Sequence, residues 1–449
     1  MKRYHRQART ALWAALLLPA VAAALSAQTP VDENALFADS ATVAATPPRA
    51  DSQQLKNPAQ QKTVGLSGTV TSAALGSLDR GYFLRQASFG HTALATWITG
   101  DADLDIRLPG GCKAFAAVEA TYRPMATESA SGNDSNIAFS LPELFVDANV
   151  RNRVYFRTGK QVLQWGRCYF WNPTDLINIE QKPFIAKIGL RQGTYGVKLH
   201  APLGTKYNLY GFLGTAQATR PDQVSGALKF ELLAGATEMA VSAWGKRHND
   251  AVYGFDLSSR LAGVDISGEL GLHRRYRLRT ISFATGDTGI EYKPWTPRAC
   301  LGLSRSFQVG QIKDRLTAVL EGYYNQVGST GRTIDLPHDP AFLTSLPAGV
   351  SVADLLVARG YYQPNDYSRW YAAWFGSLAQ FIVPDLTLTI NAIANLDQGC
   401  AILTTGVSYA TLNDFSLGLS VNSYLGPDNT EYTLQNNGAQ VQLTAGITF

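Results

Sequence analysis

The stretch Val441-Gln-Leu443-Thr-Ala445-Gly-Ile447-Thr-Phe449 alternates apolar and polar residues without a break. Successive side chains of a strand point to opposite faces, so this one has a dry face and a wet face bearing Gln442, Thr444, Gly446 and Thr448. Two architectures accept such a strand. One is a sandwich with one side in bulk water, and the other is a barrel with lipid outside and an aqueous lumen within.

The start of the chain favours the second. Lys2, Arg3, Arg6 and Arg9 precede an apolar run from Ala11 to Leu25 that ends in small residues, the order of a secretory signal peptide. The expected organisation is a signal peptide over 1–27, a polar periplasmic leader over 28–62 and a barrel over 63–449. Past the signal, no stretch supplies the roughly 18 uninterrupted apolar residues of a spanning helix. Only 16% of residues are charged, against roughly 25% in an average soluble domain. The fold class expected is all-β, a transmembrane antiparallel β-barrel of about 18 strands, with 16 as the alternative. A terminal aromatic such as Phe449, after a strand of this kind, resembles the signal by which bacterial outer-membrane proteins are recognised for insertion. The expected partners are therefore the lipid bilayer of the outer membrane and, through the C-terminal strand, the barrel-assembly machinery.

The connections alternate in length, as they do in barrels with short periplasmic turns and longer outer loops. Short turns fall near 109–111, 151–153, 202–206, 234–237, 262–264, 308–313, 383–385 and 411–414, most of them rich in Gly, Pro, Asn or Asp. Longer connections are expected around 77–96, 124–139, 162–192, 216–226, 246–251, 276–298, 326–366, 395–399 and 425–437. Eight turns and nine loops join 18 strands, and the even number puts both termini in the periplasm. Trp370, Tyr371, Trp374 and Phe375 are expected at an outer strand end as part of a membrane aromatic girdle.

The segment most suggestive of function is VYFRTGKQVLQWGRCYFWNPTDLINI, residues 154–179. A strand ending in Gly159-Lys160-Gln161 leads to Trp165-Gly166 and then to Asn172-Pro173-Thr174-Asp175. Pro173 fixes its own φ and biases Asn172 away from helix, so this is turn chemistry. A connection with Trp165, Tyr169, Phe170 and Trp171 is too apolar to stand in water, so it is expected to fold inward and narrow the pore. A loop packed over the rim is the alternative. The G-[RK]-Q, W-G and N-P-x-D elements resemble those of the alginate-export and related porin-like families of outer-membrane barrels. That resemblance implies a passive or export channel; Cys168 departs from its pattern.

Charge adds a second expectation. From Arg151 to Lys198, nine basic residues against two acidic ones put the stretch at +7 within a chain of +4. A lumen lined by one sign of charge concentrates the opposite ion. An anion-favouring constriction is expected, with a path along Arg157, Lys160, Gln161, Trp165, Arg167, Trp171, Asn172, Asp175, Lys182, Lys187, Arg191 and Lys198. Phase also points Asp103, Asp105, Glu119, Glu143, Asp147, Glu231, Asp256 and Glu269 inward, where they can pair with the basic residues instead. Arg274, Arg275, Arg277 and Arg279 form another basic cluster near an outer strand end.

Other functions are less well supported. A net charge of +4 over 449 residues does not argue for nucleic acid. The cysteines at 112, 168, 300 and 400 lack metal-like spacing, so no metal or cofactor is expected, and spacing alone does not pair them. His91, His200, His248, His273 and His338 sit in no nucleophile or metal pattern, so an enzyme is not expected. Export or uptake of an anionic polymer or amphipathic compound remains an alternative. So does an adhesive barrel using the 326–366 loop, where residues 346–362 suit a helix.

Overall fold

The computed structural model describes residues 64–80, 92–108, 111–124, 136–151, 153–177, 193–216, 218–247, 249–281, 288–334, 363–410, 414–434 and 437–449. The signal and leader ranges, Lys182, Lys187, Arg191 and the 346–362 helix expectation lie outside the described residues.

Eighteen strands run β1 Val64–Asp79, β2 Thr92–Leu108, β3 Cys112–Tyr122, β4 Ile137–Val150, β5 Val154–Gln161, β6 Thr194–Leu203, β7 Tyr207–Gly214, β8 Ser225–Ala234 and β9 Thr237–Lys246. They continue as β10 Val252–Leu261, β11 Val264–Ile281, β12 Thr288–Val309, β13 Ile312–Asn325, β14 Trp370–Leu378, β15 Leu386–Asn395, β16 Cys400–Ala410, β17 Phe415–Leu425 and β18 Asn437–Thr448. Each pairs antiparallel with its neighbours in sequence, and β1 also pairs with β18, so the sheet closes on itself. The expected count of 18 holds, and 16 does not.

The alternation read from the sequence is the alternation of the wall. Leu66, Leu94, Leu213, Leu228, Leu301 and Leu443 face outward and exposed, forming an apolar belt that only a nonaqueous surrounding would cover. Their strand neighbours turn inward. Thr71 pairs with Thr99, Asp101 with Glu119, Asp147 with Arg157 and Asp256 with Glu269, all on the lumenal side. The turn between β10 and β11 shows how tightly the hairpins close. Ala262 (φ 52°) and Gly263 (φ 76°) are both left-handed, the backbone of a primed two-residue turn whose twist matches the strands.

The seam between β1 and β18 is closed by Gly68 and Phe449. The Phe449 amide donates to the Gly68 carbonyl at 2.9 Å, and the Gly68 amide returns a bond to the Phe449 carbonyl at 3.1 Å. A Cβ on Gly68 would stand 2.8 Å from Cζ of the Phe449 ring, so the ring lies where only glycine leaves room.

Two sequence expectations are corrected here. The connection expected over 276–298 is strand for most of its length, because β11 and β12 extend to 18 and 22 residues. Pro294, Pro297 and the run of arginines read as loop chemistry, while the left-handed Arg275 (φ 46°) interrupts the simple alternation. The aromatic group on β14 is also split. Trp370 is exposed on the outside against Tyr324, whereas Tyr371 and Phe375 are buried on the lumenal side.

Candidate functional site

The wall opens into the lumen at the end of β5. Gly159 (φ 130°) crosses so near β4 that a Cβ there would meet Phe145 Cα at 2.8 Å. Two residues on, Gln161 is fully buried, pairs with Thr194 as the last residue of β5, and donates through its side chain to the Gly196 carbonyl of β6 at 3.2 Å. The next amide, Val162, donates to Glu143 on β4 at 2.7 Å. From here the chain turns inside the barrel, as expected, and not over its rim.

Carboxylates on the lumenal wall hold the segment by its backbone. Glu269 of β11 accepts the amides of Arg167 at 2.5 Å, Cys168 at 2.6 Å and Thr174 at 3.0 Å, together with the Thr174 hydroxyl at 2.8 Å. Glu321 of β13 accepts the amides of Tyr169, of Phe170 at 2.9 Å and of Trp171 at 3.3 Å. A hydrogen bond of this kind contributes about 1 kcal/mol net, and together these two side chains hold the backbone of six residues. Asp256 lies midway along β10, which sets the Arg167 side chain near the middle height of that strand.

The basic side chain of the segment is met by acids on all sides. The Arg167 guanidinium bonds Asp256, Glu238 and, at 3.0 Å, Glu231. Burial opposes its charge, and Asp256 and Glu231 outweigh burial, so its pKa is raised. Beside it Lys229 of β8 donates to the Trp165 carbonyl at 2.7 Å and pairs with Asp256 at 3.2 Å. The N-P-x-D element forms the tight turn its residues suggest. The Asp175 amide donates to the Asn172 carbonyl at 3.1 Å, and the Asp175 carboxylate accepts the Trp165 amide at 3.3 Å.

The aromatics fall into two groups. Trp165 packs with Leu163, Leu176, Ile177, Phe212 and Trp244 against β7 to β10. Trp171 stacks on Tyr323 and meets Tyr371, while Tyr169 and Phe170 both contact Phe375. Trp171 Nε1 also donates to the Asn365 carbonyl at 2.9 Å. Asn365 is itself left-handed (φ 58°), and its amide donates to Glu431 at 2.5 Å. Thus the segment after β5, the chain before β14 and the β17–β18 connection meet inside one end of the barrel.

The expected path residues therefore separate. Arg157 is lumenal but bound bidentately to Asp147 at 2.7 and 2.9 Å, above the Phe145 ring. Lys198 shares that lumenal face opposite Arg157. Gln161, Trp165, Trp171, Asn172 and Asp175 are buried and build the segment. Lys160 departs from expectation: its register partners are Leu144 and Tyr195 on the outer face, and its ammonium lies 5.5 Å from the Tyr195 ring. Strand period had already set it opposite in phase to Arg157 and Gln161. The acids Glu238 and Glu321, not among the inward acids read from the sequence, complete the contacts to the segment; lumenal phase is the signal that finds Glu321.

The sequence matches no family model and no curated protein. Its fold does match solved structures. OccAB1 of Acinetobacter baumannii aligns over 86% of this chain and 96% of its own, with TM-score 0.51 and 11% identity. OccAB3 of the same organism aligns over 86% and 99%, with TM-score 0.51 and 10% identity. A BenF-like porin of Pseudomonas fluorescens Pf-5 aligns over 86% and 98%, with TM-score 0.50 and 11% identity. The architecture of this chain is accordingly the closed 18-stranded antiparallel barrel found in outer-membrane porins.

Proposed function

We propose that this chain is an outer-membrane channel for small hydrophilic solutes, small anions among them, with residues 162–177 forming the constriction. The observation that carries the reading is the position of that segment inside a closed barrel. It is bound at β4 and along β7 to β14, whereas β1, β2, β17 and β18, across the circle, present Thr71, Thr99, Asp101, Asn422 and Gln442 to the lumen. Polar groups on one side and a fixed segment on the other outline a wet passage. The resemblance to porins, one of them BenF-like, agrees with this reading. The short turns and both ends of the described barrel lie on one side, which supports termini in the periplasm and insertion through the β18 strand.

Anion preference is the finer part of the proposal, and its source is narrower than a count of basic residues. Arg157 and Arg167 are bound by carboxylates, so neither adds an uncompensated positive charge to the passage. A second reading, export of an anionic polymer, draws on the N-P-x-D turn and its alginate-export likeness. It requires the segment to swing clear of Glu269 and Glu321.

Planar-bilayer recording of the refolded protein in a salt gradient tests both. Discrete conductance steps with an anion-directed reversal potential are expected. A barrel that inserts without conducting would overturn the channel, and a firm cation preference would overturn the anion form.

A further inference from the structure

Two cysteines that the channel reading does not use meet across the clamp. Cys168 lies on the inward segment and Cys300 on the lumenal face of β12, both almost completely buried. Their sulfurs and a Glu321 carboxylate oxygen lie within 4.8 Å of one another. The arrangement is built, not incidental. The Cys168 amide is held by Glu269, whose cross-strand partner is Cys300, and the Cys168 sulfur lies 3.5 Å from the Ser267 hydroxyl on the same strand as Glu269. In this structure both are thiols.

We propose that Cys168 and Cys300 form a disulfide in the mature protein, fixing the constriction segment covalently to the barrel wall. The inference rests on the outer-membrane reading, because assembly then passes through an oxidising compartment. A metal is the competing use of the trio. Its third ligand is taken, since the two Glu321 oxygens already accept the amides of Tyr169, Phe170 and Trp171. A disulfide needs sulfurs at about 2.05 Å, and rotation about the two Cα–Cβ bonds is the motion that brings facing sulfurs together.

The bond forms before the segment is buried. The Cys168 thiolate attacks a disulfide of an envelope thiol-disulfide oxidoreductase, giving a mixed disulfide and releasing one donor thiolate. The Cys300 thiolate then attacks the Cys168 sulfur and releases the second. Two cysteines are oxidised, the donor disulfide becomes a dithiol, and the two thiol protons pass to the departing thiolates.

The test uses the full chain expressed in a bacterium, quenched in acid, alkylated with N-ethylmaleimide, fractionated and digested for mass spectrometry. Linked Cys168 and Cys300 peptides, short of two hydrogens, are expected, with Cys112 and Cys400 alkylated. Alkylated Cys168 and Cys300 in outer-membrane protein would overturn the proposal, as would zinc bound in proportion to protein and lost in Cys300→Ser. Protein absent from the outer membrane would instead count against the channel. The pair is then judged on refolded barrel oxidised with glutathione disulfide, where the same link is expected and free thiols overturn it. In bilayers, dithiothreitol is expected to increase open-channel noise severalfold in the parent protein and leave Cys168→Ser and Cys300→Ala unaffected.

Discussion

Trp171 lies flat against Tyr323, with ring centres 5.3 Å apart and planes 4° from parallel. One residue is on the inward segment and the other on the wall, so this stack ties the segment to β13. Replacing Trp171 with Ala removes the stack and the bond to Asn365, a loss of about 3 kcal/mol by analogy with buried aromatic truncations. The expected outcome is a folded barrel with larger, noisier conductance steps. Unchanged current traces with unchanged heat-modifiable gel migration would show that the stack does not hold the constriction.

Arg167 answers three carboxylates at once. Arg167→Met leaves Glu231, Glu238 and Asp256 with Lys229 as their nearest cation, and breaking a buried pair costs about 3–5 kcal/mol. Arg167→Lys is expected to recover little of it, because one ammonium cannot reproduce the planar fork. Urea unfolding followed by tryptophan fluorescence checks the order parent, Lys variant, Met variant.

Asp147 and Arg157 neutralise each other on the lumenal wall. Arg157→Gln is expected to shift the permeability ratio toward cations and Asp147→Asn toward anions, each on the order of twofold in a water-screened passage. The double variant returns near the parent. Reversal potentials that move the same way in both single variants would contradict the pairing.

Glu269 receives three amides and a hydroxyl. Glu269→Gln loses the charge and keeps a single acceptor oxygen, so either the Arg167 and Cys168 amides or the two Thr174 donors face an NH2 group that cannot accept, at about 1–3 kcal/mol for each one left unpaired. Limited proteolysis of the folded barrel is expected to cut within 162–177 in the variant and not in the parent.

Much of the wall could be read from alternation, because a strand repeats its environment every two residues. Leu209 and Leu213 outward against Tyr210 and Phe212 inward follow from period alone. The inward turn of Trp165 to Trp171 was legible in its apolar character. The clamp was not. Glu321 and Phe170 meet across 151 positions, and no local pattern records a contact between a loop and a distant strand. The extended β11 and β12 were hidden for another reason: prolines and clustered arginines imitate a connection. At Arg157 and Arg167 the net charge of the stretch misleads, whereas strand phase, which points Asp147, Glu231 and Asp256 inward, offers the pairing that forms.

The pairing of Thr69 with Thr448 closes the circle with strands from opposite ends of the described barrel. Every other neighbouring pair is joined directly by a turn or loop and can zip as a hairpin, whereas this one has the whole intervening chain to wait for. Until it forms, β1 and β18 each present an open row of hydrogen-bonding groups. The barrel is therefore most vulnerable to aggregation late in its assembly, at the one joint that no hairpin can help to nucleate.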